Sequence, residues 1–68
     1  MFERETFCEI VRNGKSVSVS CFEKRYDSTL QPYYARFDTF QSKQKKRVLD
    51  WVSNKPANIR HAVERFYM

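Results

Sequence analysis

Asn13-Gly14 lies between two arms of matched apolar and polar alternation, Phe7 to Arg12 and Lys15 to Phe22, and constrains the fold more tightly than any other stretch. Asn-Gly tolerates the positive φ that both central positions of a type I′ turn require, so it predicts a β-hairpin centred there. That centre predicts a register: Arg12 opposite Lys15, Ile10 opposite Val17, Cys8 opposite Val19 and Thr6 opposite Cys21. Cys8, Ile10, Val17, Val19 and Cys21 then share one apolar face, while Ser16, Ser18 and Ser20 share the other with Phe7, Glu9, Val11 and Phe22. A two-stranded ribbon is marginal in water, so later elements must cover the apolar face.

A chain of 68 residues makes one domain, 1–68, below the size at which a single core is comfortably stable. The 16% aromatic content offsets this, because each ring buries about 150–250 Å². Gly14 is the only glycine, which excludes Gly-rich phosphate loops and flexible linkers. No apolar run approaches the ~18 residues of a membrane span. Met1-Phe2-Glu3-Arg4-Glu5 lacks the basic start and apolar middle of a signal peptide, so a cytoplasmic protein is expected. In the predicted register Cys8 and Cys21 are diagonal, a poor geometry for a disulfide, and both read as reduced core residues. With one histidine and no Cys-x-x-Cys, no metal or other cofactor is expected.

Glu23 to Pro32 reads as a loop, and Tyr33 to Phe37 as a short third strand with Tyr33, Ala35 and Phe37 on one face and Tyr34 and Arg36 on the other. Tyr33 and Phe37 are assigned to the core. Asp38 with Gln41 has capping-box spacing and predicts a helix from there to about Ser53, its inner side carrying Phe40, Gln44, Val48, Trp51 and Val52. Pro56 fits the first turn of a second helix with Ile59, Ala62, Val63 and Phe66 inward and Arg60, His61, Glu64 and Arg65 outward. Tyr67-Met68 is an apolar tip expected to dock on the core or a partner. The expected fold is α+β, a three-stranded antiparallel meander packed against two C-terminal helices.

Charge is lopsided. Residues 1–24 balance four cations with four acids, whereas residues 25–68 hold nine cations and four acids and so carry the whole net +5. The sharpest cluster is Lys43, Lys45, Lys46 and Arg47, placed where cations oppose the helix macrodipole. This pattern fits a phosphate-contacting face, and equally a solvated face that keeps an aromatic-rich protein soluble. Tyr34 beside Arg36 suits stacking on unpaired bases. The serine-lined sheet face with Phe7, Val11 and Phe22 suits a protein interface or a homodimer. His61 with Arg60 or Arg65 is the one set that resembles ribonuclease chemistry, and an ordinary surface histidine accounts for it better, so no enzyme is expected.

The leading expectation is a small basic, non-enzymatic DNA- or RNA-binding protein that contacts phosphates through Lys43, Lys45, Lys46, Arg47 and Lys55 and through Arg60 and Arg65, with Tyr34 and Arg36 as accessory contacts. The alternative is a protein–protein interaction module, such as a phage-type inhibitor or regulatory subunit, whose basic helix meets an acidic partner surface.

Overall fold

The computed structural model describes residues 5–68; the N-terminal stretch on which the absence of a leader was read lies almost wholly outside that range. Three antiparallel strands, β1 (Thr6–Asn13), β2 (Ser16–Tyr26) and β3 (Pro32–Ser42), form one sheet in the order β1-β2-β3. Two helices follow, α1 (Lys45–Val52) and α2 (Ala57–Phe66). The expected α+β meander with two C-terminal helices is the observed architecture. Neither helix is long and apolar enough to cross a membrane.

The hairpin forms around Asn13-Gly14, but its centre lies one residue later. Asn13 pairs with Ser16, leaving Gly14 and Lys15 as the two-residue loop. Gly14 has φ +59° and Lys15 does not have positive φ, so glycine takes the first central position as in a type II′ turn. The shift moves every pairing by two residues and therefore leaves each side chain on its expected face. It also places Cys8 directly opposite Cys21, which corrects the diagonal placement expected above. Both cysteines are free thiols.

β2 is the central strand, paired with β1 as far as Glu23 and with β3 as far as Tyr26. Glu23 to Tyr26 are therefore strand rather than loop. The connection to β3 is only Asp27–Gln31, where one Asp27 oxygen accepts from the Thr29 amide at 2.8 Å, the Thr29 hydroxyl at 2.7 Å and the Gln31 amide at 2.9 Å. Leu30 completes this turn with φ 63°. Pro32 opens β3, an edge strand, where its missing N–H is harmless.

β3 runs to Ser42, so Asp38 to Gln41 extend the sheet instead of starting a helix. The reason lies in β2: Ser16 to Cys21 would leave a row of backbone groups unpaired if β3 ended at Phe37. In the longer strand Phe40 pairs with Val19 and stacks on Trp51, ring centroids 5.2 Å apart. Between Cys21 and Phe22 the pairing shifts by one, with Cys21 opposite Asp38 and Phe22 opposite Arg36. Phe37 is the extra residue of this bulge.

Both helices cover the same sheet face. Val17, Val19 and Cys21 from β2, Val48 and Val52 from α1, and Ile59 and Val63 from α2 form the buried core. Cys8, Ile10, Phe40, Leu49, Trp51, Phe66 and Tyr67 close around it. The C-terminal tip divides: Tyr67 packs on this core and Met68 is fully exposed. α2 lies along β1, tied at its start by Asn58, whose amide donates to the Thr6 carbonyl and whose Oδ1 accepts from the Thr6 hydroxyl at 2.9 Å. Pro56 directly precedes the first helical residue, and its carbonyl accepts from the Arg60 amide.

The molecule measures 42 × 25 × 16 Å, and the apolar core lies under the half of the sheet nearest the hairpin turn. Beyond Cys21 the covered face turns polar, with Arg25 Nε donating to Glu23 at 2.8 Å. Tyr33 and Phe37 consequently are not core residues; Tyr33 pairs with Arg25 at this outlying end and is exposed, as is Phe37 at the bulge.

Candidate nucleic-acid interface

The basic run is split between a loop and a helix. Lys43 follows β3, Gln44 is the N-cap, and Lys45, Lys46 and Arg47 are the first three residues of α1. No side chain caps this helix start and no acid occupies its first turn. Ser42 instead accepts from the Gln44 amide at 3.1 Å, stiffening the turn that presents the run. All four cations are exposed.

The sheet brings further charge to the same end. Arg12, Val17 and Ser42 lie in one row across the three strands, so the hairpin tip adjoins the loop that carries Lys43. The end of α2 meets this row: Arg12 lies over the Phe66 ring at 5.4 Å, Lys45 over the Tyr67 ring at 5.5 Å, and the two rings meet edge-on at 5.2 Å. Lys45 thereby reaches the C-cap of α2, where positive charge is favourable, while Lys46 and Arg47 face only their own helix dipole. Arg12 and Lys15, assigned by sequence arithmetic to a neutral hairpin, thus join Lys43, Lys45, Lys46 and Arg47 at one pole. Arg65, in the last turn of α2, lies at the same end.

Ion pairing sharpens the asymmetry. Among the described residues, Lys24 pairs with Glu5, Arg25 with Glu23, Lys55 with Asp38 and Arg60 with Glu64. None of the cations at the hairpin pole is in such a pair. Lys55 is engaged by Asp38 and by Trp51, whose ring centroid is 4.6 Å from its ammonium. Arg60 is half-buried on α2, its Nε 3.9 Å from Glu64, and His61 is exposed beside it.

Tyr34 and Arg36 lie at the opposite end, on the sheet face away from the helices. There they join Phe7 and Phe22, which sequence reasoning had assigned to a separate apolar patch. Phe7 and Phe22 stack at 4.9 Å, Tyr34 meets Phe7 edge-on at 5.0 Å, and Arg36 lies over Phe22 at 5.7 Å. Only the cross-strand register Phe7–Phe22–Arg36 assembles this group. A cleft of about 860 Å³ also opens at this end, lined by Glu5, Glu23, Phe37 and Asn58 among others. Its carboxylates and its distance from the hairpin pole make it no phosphate site.

Compared with known proteins, the chain matches no family model, no curated protein and no solved structure.

Proposed function

We propose that the protein is a small cytoplasmic nucleic-acid-binding protein that grips phosphates, without catalysis, through the pole formed by Arg12, Lys15, Lys43, Lys45, Lys46 and Arg47. The observation that carries this reading is the convergence of hairpin tip and helix start into one set of cations with no acid paired to any of them among the described residues. A solvated face needs no such convergence from two distant parts of the chain. The mechanism is phosphate neutralisation with release of condensed counterions. If all six groups engage duplex DNA, affinity falls roughly a thousandfold between 50 and 200 mM salt.

The test is a fluorescence-anisotropy salt titration with duplex DNA, single-stranded DNA and RNA. Two variants accompany the native chain, one with Gln at Lys43, Lys45, Lys46 and Arg47, the other with Gln at Arg12 and Lys15. Each lost phosphate contact is expected to lower the duplex salt slope by about 0.9. Binding that is absent, or unchanged in both variants, overturns the reading.

A protein partner with an acidic surface is the second reading, favoured by Val11, which is 42% exposed on the face away from the helices and adjoins Arg12 in β1. Pull-down from a nuclease-treated lysate separates the two, because a nucleic-acid bridge does not survive the treatment.

A further inference from the structure

We infer that the sheet face opposite the helices is a binding surface for the unpaired bases of a single-stranded nucleic acid, centred on the stack Phe7–Phe22–Arg36 and on Tyr34. This inference rests on the proposed phosphate pole and adds the class of nucleic acid and a second contact site.

Three planar groups from three strands lie side by side: the Phe7 ring 4.9 Å from that of Phe22, and the Arg36 guanidinium 5.7 Å from Phe22 on the neighbouring strand. Such a stack is open to extension by a further planar group, and a guanidinium at its end offers both a flat surface and donors for a base edge or phosphate. Phe7 and Tyr34 remain 42% and 52% exposed, so their rings are accessible to a base. An interior packing role would have buried them.

Charge favours a polyanion over an apolar protein surface. Arg36 lies in no ion pair among the described residues, and Lys24, opposite Tyr34, holds the nearby Glu5 at 3.4 Å. The acids that oppose the proposal are Glu9, opposite Ser20 midway along this face, and Glu5 and Glu23, which line one cleft with Phe7 and Tyr34 and are paired with Lys24 and Arg25. The remainder of the floor is small and polar, with the Ser20 and Thr39 hydroxyls 3.3 Å apart.

Both helices pack on the other face, so this floor runs open from the aromatic row to the Asn13–Ser16 pair at the hairpin tip, beside Lys15. On this face the rows at Phe22 and Ser16 are six residues apart on β2, about 20 Å at strand rise, and the Arg12–Val17–Ser42 row faces the helices at the same tip. One extended strand of a few nucleotides spans that distance, its phosphates held at the hairpin pole and its bases on the rings. A rigid duplex keeps its bases paired and gains only the pole.

The test uses the full chain with a fluorescein-labelled oligouridine, an oligothymidine and a duplex of equal length, and compares Tyr34→Ala, Tyr34→Phe and Arg36→Gln. Tyr34 is exposed, so truncation leaves the fold in place, which circular dichroism verifies. Tyr34→Ala is expected to weaken single-strand binding about tenfold, Tyr34→Phe to preserve it, and duplex binding to stay unchanged. Equal loss for duplex and single strand, or no loss for either while the lysine variant still lowers the salt slope, overturns this inference and leaves the phosphate pole standing. No oligonucleotide binding by the native chain removes both. Concentration-dependent dimerisation in analytical ultracentrifugation that Tyr34→Ala abolishes assigns the face to a second copy and also overturns it.

Discussion

The Lys55 ammonium donates to the Asp38 carboxylate, joining the loop between the two helices to the middle of β3. The same ammonium lies over Trp51, so one side chain holds loop, helix and strand together. The hydrogen bond from Lys55, seconded by the Thr39 amide, holds the Asp38 carboxyl below its ordinary range. A lowered folded-state value contributes stability that is present in full above the unfolded value of about 3.9 and is lost as pH falls through the folded one. Lys55→Met is expected to cost about 1 kcal/mol at pH 7, with the gap to wild type narrowing below about pH 4. Urea unfolding at pH 7, 5 and 3 checks this, and a gap that stays constant over that range contradicts it.

Gly14 has nothing within 4 Å of where a Cβ would stand, so its role is conformational alone. Gly14→Ala should cost about 1–2 kcal/mol through the positive φ. Asn13→Thr should be nearly neutral, because Asn13 belongs to β1 and not to the loop. Denaturant midpoints for the two variants distinguish the observed turn from a type I′ turn centred on Asn13-Gly14, in which both changes would be costly.

Burial pushes the Cys21 thiol up to about 11, with Cys8 adding to the rise, and burial raises Cys8 as well. At pH 7 such a thiol is about one part in ten thousand thiolate, against a few per cent for an ordinary cysteine. Iodoacetamide should therefore label Cys8 slowly and leave Cys21 intact until the protein unfolds. Peptide mass spectrometry with and without urea reads the difference.

Lys46 and Arg47 oppose the dipole of a helix that has no acid in its first turn. Lys46→Glu and Arg47→Glu should each raise stability by about 0.3–1 kcal/mol, a few degrees in Tm, while weakening oligonucleotide binding. Thermal melts beside anisotropy titrations test both halves. Destabilisation by either change would mean that the cations serve the fold.

Ile59 is fully buried between the helices and the sheet. Ile59→Ala should cost about 2–5 kcal/mol, enough to leave a domain this small largely unfolded at 37 °C. Circular dichroism at 10 and 37 °C reads the outcome.

Two-residue alternation made the faces of β1 and β2 legible before any coordinates, because a register error of two leaves inward and outward residues where they were. The error concealed the direct Cys8–Cys21 pairing and the row that joins Arg12 to Ser42. Phe40 was ambiguous in itself: it lies on the apolar side of a helix counted from Asp38 and equally on the inward side of a strand. The need of β2 for a partner along its full length decided the matter, and that need is a tertiary one. The basic run was visible as composition. Its union with Arg12 and Lys15, and that of Tyr34 and Arg36 with Phe7 and Phe22, depended on strand pairing that local patterns do not encode.

Phe37 acts as a phase shift within β3. On the hairpin side of it, even-numbered residues such as Asp38 and Phe40 turn toward the helices; on the far side, even-numbered Tyr34 and Arg36 turn away from them. Drawing this one residue into regular pairing would rotate the whole first half of the strand, sending Tyr34 and Arg36 inward and Tyr33 and Ala35 outward, with no change in composition, whereas deleting it would leave the faces as they are. The strand is thus written in two reading frames, one set against the helices and one for the end of the sheet beyond the core.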